Sequence, residues 1–218
     1  GLRLHSMHAP IVAYSLASGD EARRRAALAE TRATLDIAHR IPYSYLVVHL
    51  GVPDAEAAMP GDNRPDAARR SLEDIASLAQ AVNVRVAVEI IPNGLSSASG
   101  LCAMLEEDRD GPDIGICLDY GHAHMMGDLG EAIEVIGGHV WTTHVHDNDG
   151  RQDAHGVRFT GRIDWAAAMV ETQKVGYEGV LMFEVADSGD AADVLARTAR
   201  ARERLARLLV TFSLPGLD

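Results

Sequence analysis

Residues 84–93 read VRVAVEIIPN, a run dominated by valine and isoleucine with one carboxylate, Glu89, near its C-terminal end. The run predicts a buried β-strand, and the helical pattern that follows near Ala98–Glu106 predicts a return crossing over the sheet. The same event recurs along the chain. LRLHSMH (2–8) precedes a helix within Asp20–His39, YLVVHLG (45–51) one within Pro65–Ala81, and IGICLD (114–119) one near Leu129–Ile136. VWTTHVH (140–146) leads through a loop to IDWAAAMVETQK (163–174), and VLMFEV (180–185) to a long amphipathic helix from about Ala191 to Leu209. Strand and helix taking turns this regularly implies right-handed βαβ units and a parallel sheet covered on both faces.

Each run carries a polar side chain at its C-terminal end: His8, His49, Glu89, Asp119, His144 and Glu184. In a (β/α)8 barrel the C-terminal tips of the strands ring a single mouth, and catalytic groups gather there. An open doubly wound sheet also places ligands at strand C-termini, but at one switch crevice that six strands can hardly share. The pattern therefore predicts an α/β chain of the (β/α)8 TIM-barrel type, in a single domain over residues 1–218. Six strands are legible where eight are wanted, which suggests that a first βα unit is lacking at the N-terminus and leaves the closing strand unassigned.

With 218 residues and 47% hydrophobic content, the chain can bury a substantial core. A formal charge of −12 repels phosphate backbones and makes nucleic acid a disfavoured partner. Cys102 and Cys117 fall in no CxxC or zinc-finger spacing, so the sequence supports neither a disulfide framework nor a structural zinc module, and a reducing cytoplasm fits best. No signal-peptide pattern is present, and no apolar run approaches the roughly 20 residues of a membrane span.

Histidine and carboxylate groups without thiolate suit Zn²⁺, Mn²⁺, Fe²⁺ or Co²⁺, and an oxygen-rich subset also accepts Mg²⁺. In chain order, MHAPIVAYSLAS, VVHLG, VAVEIIPN, GICLDYGH, THVHD, DAH, GRIDW and MFEV resemble successive motifs of the xylose isomerase-like barrel superfamily. That superfamily contains sugar phosphate isomerases and epimerases and the endonuclease IV group, and the resemblance spans nearly the whole chain. It implies one divalent ion on Glu89, Asp119, His144 and Glu184, with His122 beside them. It further implies metal or substrate contacts at His8, His49, Asp153 and His155, which with His122 complete the multi-metal set of the endonuclease IV branch. His146 shares the strand parity of His144, but the His-x-x-Asp spacing to Asp147 favours His144, leaving His146 to hold a ligand in place. One departure stands out: Phe159 occupies the position of the family's usual glycine two residues before Gly161, so this loop is expected to take another shape.

The resemblance leaves two main chemistries open. In a sugar or sugar-phosphate isomerase or epimerase, the ion acts as Lewis acid on adjacent substrate oxygens and lowers the cost of an enediolate. Glu89 and Glu184 then remove and return the proton, and His122 hydrogen-bonds the oxygen where charge develops. In an endonuclease IV-like phosphodiesterase, two or three ions activate a hydroxide instead. Against a duplex substrate stand short, often acidic loops, since HGVRFTGRIDW offers only Arg158 and Arg162, which suit one sugar phosphate equally well. A metal-dependent dehydratase or lyase and a non-catalytic relative complete the alternatives. The expected cofactor is a divalent ion (Mn, Zn, Co or Mg). The expected partners are a small sugar and, through the Ala-rich helices, a second copy of the chain, with no membrane.

The remaining candidates have plainer readings. His5, His39, His124 and His139 are expected at the rim or surface, Trp141, Trp165 and Phe183 in the core, and Met125 and Met126 in a packed loop. EARRR (21–25) and ARTARARERLARLL (196–209) read as solvated faces with i,i+4 charge pairing.

Overall fold

The computed structural model describes residues 3–11, 14–54, 61–107, 111–186 and 189–211. Its strands are β1 (Ser6–His8), β2 (Tyr45–Val48), β3 (Arg85–Glu89), β4 (Ile114–Asp119), β5 (Val140–Val145) and β6 (Met182–Phe183). They lie side by side in chain order, and every pairing is parallel. The crossovers carry α1 (Glu21–Ile37), α2 (Pro65–Gln80), α3 (Ala98–Glu107), α4 (Tyr120–Met126), α5 (Leu129–Ile136) and α6 (Trp165–Lys174), and α7 (Ala191–Thr211) follows β6. Among the described residues the sheet is a six-stranded part of the expected barrel, with β1 and β6 as its edges.

The sheet is curled. His5 Nε2 lies 3.2 Å from Thr142 Oγ1, and the rings of His8 and His144 are 5.7 Å apart, so side chains of β1 and β5 meet across the concave face although β2, β3 and β4 separate those strands. The alternation of strand side chains sorts two environments. Leu46, Val48, Val86, Val88, Ile116 and Leu118 join the main core with the helices, while Val47, Ala87 and Cys117 form a small apolar cluster of their own. Near the start of the strands, Arg85 lies over the Trp141 ring at 3.4 Å. Gly115 is required at this level, because a Cβ there would sit 2.0 Å from the Trp141 indole.

Local signals set the helix starts. Asp20, Asp128 and Asp164 accept N–H bonds from the first turns of α1, α5 and α6, and Pro65 opens α2, where a missing N–H costs nothing. Asp119 does the same for α4, its Oδ1 accepting the His122 N–H at 2.7 Å. The cap starts a seven-residue helix directly at the end of β4, so Met125 and Met126 belong to a helix and not to the loop expected for them.

Other expectations need adjusting. LRLHSMH contributes only Ser6–His8 to the sheet and VLMFEV only Met182–Phe183, each lying at an edge with one neighbour; Leu2 falls outside the described residues. Arg24 of EARRR is buried and bonds Glu21, Ser71 and Asp74 at 2.9–3.2 Å, which ties α1 to α2. Trp165 is in the core as expected, whereas Trp141 and Phe183 are half-buried. His39 and His139 are exposed and His124 is half-buried. His5 is half-buried and bonded to Thr142. Among the described residues no helix is long and apolar enough to cross a membrane.

Candidate metal centre

Curling the sheet gathers the polar strand ends, and Glu89 is their hub. Its Oε2 lies 2.9 Å from His8 Nε2 and 3.2 Å from His49 Nε2, while its Oε1 lies 3.2 Å from His144 Nδ1 and 3.4 Å from His122 Nδ1. His144 Nδ1 is also 3.0 Å from Glu184 Oε2 and 4.0 Å from Asp119 Oδ2. Glu89, Asp119, His144 and Glu184 therefore offer four ligand atoms within 4.8 Å of one another.

Two more groups adjoin this one. His8, His49 and Glu89 form one, and His122, His146, Asp153 and His155 form the other, each again within 4.8 Å. His8, His49, Asp153 and His155 thus stand where further ions or a substrate can reach them. Cys117 is a surprise: with Glu89 and His144 it makes a fourth such group, so a thiol lies beneath a set that the sequence suggested was free of sulfur.

Some of these pairs are hydrogen-bonded, His8 to Glu89 at 2.9 Å and His122 and His155 to Asp153 at 3.1 Å, while other atoms of the cluster are left over. Asp119 Oδ2, His144 Nδ1, Glu184 Oε2 and both ring nitrogens of His146 are buried without a hydrogen-bond partner. Buried polar groups left this way are satisfied by an ordered water or a bound ion. The donor set, nitrogen and carboxylate oxygen, fits a divalent cation. His8 is oriented for that purpose, because its Nδ1 donates to Ala9 O at 2.6 Å and turns Nε2 inward.

Charge follows the same geometry. Burial resists ionisation of Glu89, but His122, His144 and His49 outweigh it and hold the carboxyl well below its usual range. Burial likewise opposes charge on His8, and Glu89 reverses the sign, raising its pKa. Glu184 and Asp153 are lowered against burial by their histidine neighbours. Burial, helped by the charges of Glu89 and Asp119 and opposed by His144, pushes the Cys117 thiol up to about 12.

His122 stands beside the four-ligand group and lines the cavity above it. Its Nδ1 faces the Ile90 carbonyl at 3.0 Å and its Nε2 faces Asp153 Oδ2 at 3.1 Å, so both nitrogens have protein partners. Asp147 is not among the ligand groups. Buried, it accepts from the N–H groups of Asn148, Phe159 and Ile163 and from Trp165 Nε1, at 2.8–3.3 Å, and so staples the loop between β5 and α6. Phe159, standing where a glycine was expected, holds a left-handed backbone (φ +66), so the turn keeps a glycine-like conformation despite the side chain. Arg158 is 2% exposed, stacked on Phe183 and near Trp165, with no nitrogen bonded; burial lowers its pKa to about 9. Neither Arg158 nor the exposed Arg162 lines the cavity above the ligands.

That cavity, of about 190 Å³, is lined on one side by His8, His49, Glu89, His122, Asp153, His155 and Glu184. The other side is mainly apolar, including Pro10, Ile11, Tyr14, Val52 and Pro53, and no Lys or Arg lines it among the described residues.

A curled parallel sheet with histidines and carboxylates converging at the strand C-termini defines an α/β barrel protein with a candidate metal centre. More particularly, the chain belongs to the xylose isomerase-like TIM barrel family, whose sequence profile matches residues 1–209. An uncharacterized protein of Methanocaldococcus jannaschii is 27% identical over 194 residues, covering 85% of this chain and 65% of that protein. A second uncharacterized relative, from Sinorhizobium fredii, is 32% identical over 118 residues, covering 53% of this chain and 38% of that protein. The chain thus spans about two thirds or less of the length of these curated relatives.

Solved structures share the fold. A D-tagatose 3-epimerase-like protein superposes with a TM-score of 0.77 at 23% identity, covering 94% of this chain and 77% of its own. The IolI protein with a bound zinc atom gives 0.79 at 16% identity, covering 97% and 78%. D-psicose 3-epimerase in the presence of D-fructose gives 0.76 at 16% identity, covering 94% and 78%.

Proposed function

We propose that the protein is a divalent-metal-dependent isomerase or epimerase of a small, uncharged sugar, with Glu89 and Glu184 as its proton-transfer pair. The observation that carries this reading is the set of unpartnered buried atoms, Asp119 Oδ2, His144 Nδ1 and Glu184 Oε2, gathered around Glu89. A divalent ion on Glu89, Asp119, His144 and Glu184 supplies a Lewis acid beside a substrate's carbonyl and hydroxyl oxygens. Structures of the fold whose names specify sugar 3-epimerases, and one that holds zinc, support the class.

Glu89 and Glu184 line the cavity, whereas Asp119 and His144 do not, so the two glutamates are the ligands that meet a substrate. The histidines keep Glu89 ionised and able to accept a proton. If the two carboxylates work from opposite faces, one removes the carbon-bound proton and the other returns one, which inverts that carbon. If one works alone, shuttling the proton between neighbouring carbons, the product is the aldose–ketose isomer. His122 is committed to Ile90 and Asp153 and serves as a positioning group. The lack of a described Lys or Arg at the cavity wall favours a free sugar over a sugar phosphate, whose dianion calls for charge-assisted donors.

Glu89→Gln and Glu184→Gln, each loaded with metal, should fold and fail to exchange solvent deuterium into any of a panel of ketoses that the wild type labels. Retained exchange in both variants rejects the pair. A second reading, multi-metal phosphodiester hydrolysis, draws support from the adjoining groups His8/His49/Glu89 and His122/His146/Asp153/His155. Release of nitrophenol from bis-nitrophenyl phosphate only at two or more ions per chain would favour it.

A further inference from the structure

We propose that the substrate has an apolar end, and that the site takes a 6-deoxyketose, whose terminal carbon is a methyl, in preference to the matching ketose with a terminal hydroxyl. The choice of a ketose rests on the isomerase reading above. The preference for a methyl rests on the cavity wall that faces the metal ligands.

Among the described residues, that wall has few hydrogen-bonding groups to give. Pro10 and Pro53 have no backbone N–H. Val52 has both backbone groups committed: its N–H donates to Asn63 Oδ1 at 2.8 Å, and its carbonyl accepts from Asn63 Nδ2 and Asn93 Nδ2 at 3.1 Å each. Gly51 makes that anchor possible, since a Cβ there would lie 2.3 Å from Asn63 Oδ1. The hydroxyls of Ser15 and Thr31, which also line the cavity, are committed as well. Ser15 Oγ donates to Asp62 O at 2.8 Å and accepts from Ala17 N at 2.9 Å, and Thr31 Oγ1 donates to Ala27 O at 3.0 Å.

Apolar surface, by contrast, is left open. Ile11 is 79% exposed and Tyr14 44%, and with Val52 they border the same cavity as Glu89 and Glu184. Single apolar side chains at a surface are ordinary, but these stand together beside a strongly polar centre, where the apolar part of a ligand gains by covering them.

Size and polarity together place the methyl. At about 190 Å³ the cavity is smaller than the roughly 300–1,000 Å³ of a site for a drug-sized ligand, so it suits one monosaccharide and not a nucleotide or a disaccharide. The carbonyl and the hydroxyl beside it belong at the glutamates, which sends the far end of the sugar to the opposite wall. A hydroxyl there gives up water without a fixed partner, whereas a methyl meets Ile11, Val52 and the two prolines.

The test separates binding from turnover. Zinc-loaded protein is titrated calorimetrically with matched pairs of reduced sugars, each hexitol against its 6-deoxy counterpart, across the set of diastereomers. Lacking a carbonyl, these polyols bind without reacting. In the pair that binds most tightly, the deoxy member should bind at least about tenfold more tightly. Ile11→Thr combined with Val52→Thr keeps the branched shapes, adds two hydroxyls, and should bring the two members close to equal affinity. Equal affinities within every pair, tighter binding of the hydroxylated member, a preference untouched by the double variant, or no binding of either kind would each overturn the proposal. Failure of the isomerase reading would show separately: a deoxy preference among the polyols, with no solvent deuterium entering the matching ketose or its 6-deoxy form, sinks the glutamate pair and leaves the preference for a methyl end standing.

Discussion

Replacing Asp147 with asparagine removes a charge from the middle of four converging donors while keeping its shape. Oδ2 accepts from Phe159 N at 2.8 Å and Trp165 Nε1 at 2.9 Å, and Oδ1 from Asn148 N at 3.0 Å and Ile163 N at 3.3 Å. An amide has one acceptor oxygen, so whichever way it turns, its NH2 faces two of those donors. Hydrogen bonds to a charged group contribute about 1.5–3 kcal/mol each, and losing two inside a buried site predicts a loss of about 3–6 kcal/mol. Against a typical total of about 5–15 kcal/mol this is a large fraction. Urea unfolding followed by tryptophan fluorescence measures it, and Trp165 reports directly because it is one of the donors. Asp149→Asn, at the exposed part of the same loop, should move the midpoint less. A loss below about 1 kcal/mol for Asp147→Asn would refute the assignment of Asp147 as the staple.

Other tests reach different parts of the molecule. Arg24→Ala should lose about 1–2 kcal/mol by urea unfolding, between exposed and buried ion-pair values because Glu21 and Asp74 stay half-solvated, and Arg24→Met should recover part through packing of its stem; equal losses would contradict that. Gly121→Ala gains about 1 kcal/mol of helix propensity but drives a methyl into His146, so thermal melting should show no gain in stability. Burial opposes charge on His122, but Asp153 and Glu89 outweigh it and push its pKa up to about 11, so the metal-free chain carries this proton at neutral pH and must release it to bind an ion. Zinc affinity should therefore rise by about tenfold per pH unit for each proton released; isothermal titrations giving the same affinity across neutral pH would contradict it. Cys117, fully buried with its thiol pushed up to about 12, should react with a disulfide reagent only after unfolding.

Much of the architecture was legible because each strand is an apolar run with its polar residue at the end that faces the mouth. Glu89, Asp119 and His144 could be found as exceptions within otherwise uniform stretches. Strand lengths were not legible, since Ser6–His8 and Met182–Phe183 are cut short by having one neighbour each, a property of position in the sheet and not of composition. The short α4 was hidden because a single cap, Asp119, starts it without a long apolar period. Arg24 looked solvated and Arg158 looked free to meet a substrate because charge suggests exposure, yet a long side chain can be buried by ion pairs or by an aromatic ring. His146 is the instructive case. Its parity with His144 was visible, but its 3.0 Å approach to Asp119 and its stacking on His155 exist only once the loop has closed over it.

Crystals of the zinc-loaded protein, with data collected on either side of the zinc absorption edge, test the central claim most directly. The expected result is an anomalous peak within coordinating distance of Glu89, Asp119, His144 and Glu184. Density that places those four side chains apart, or zinc-saturated crystals with no peak between them, would contradict it.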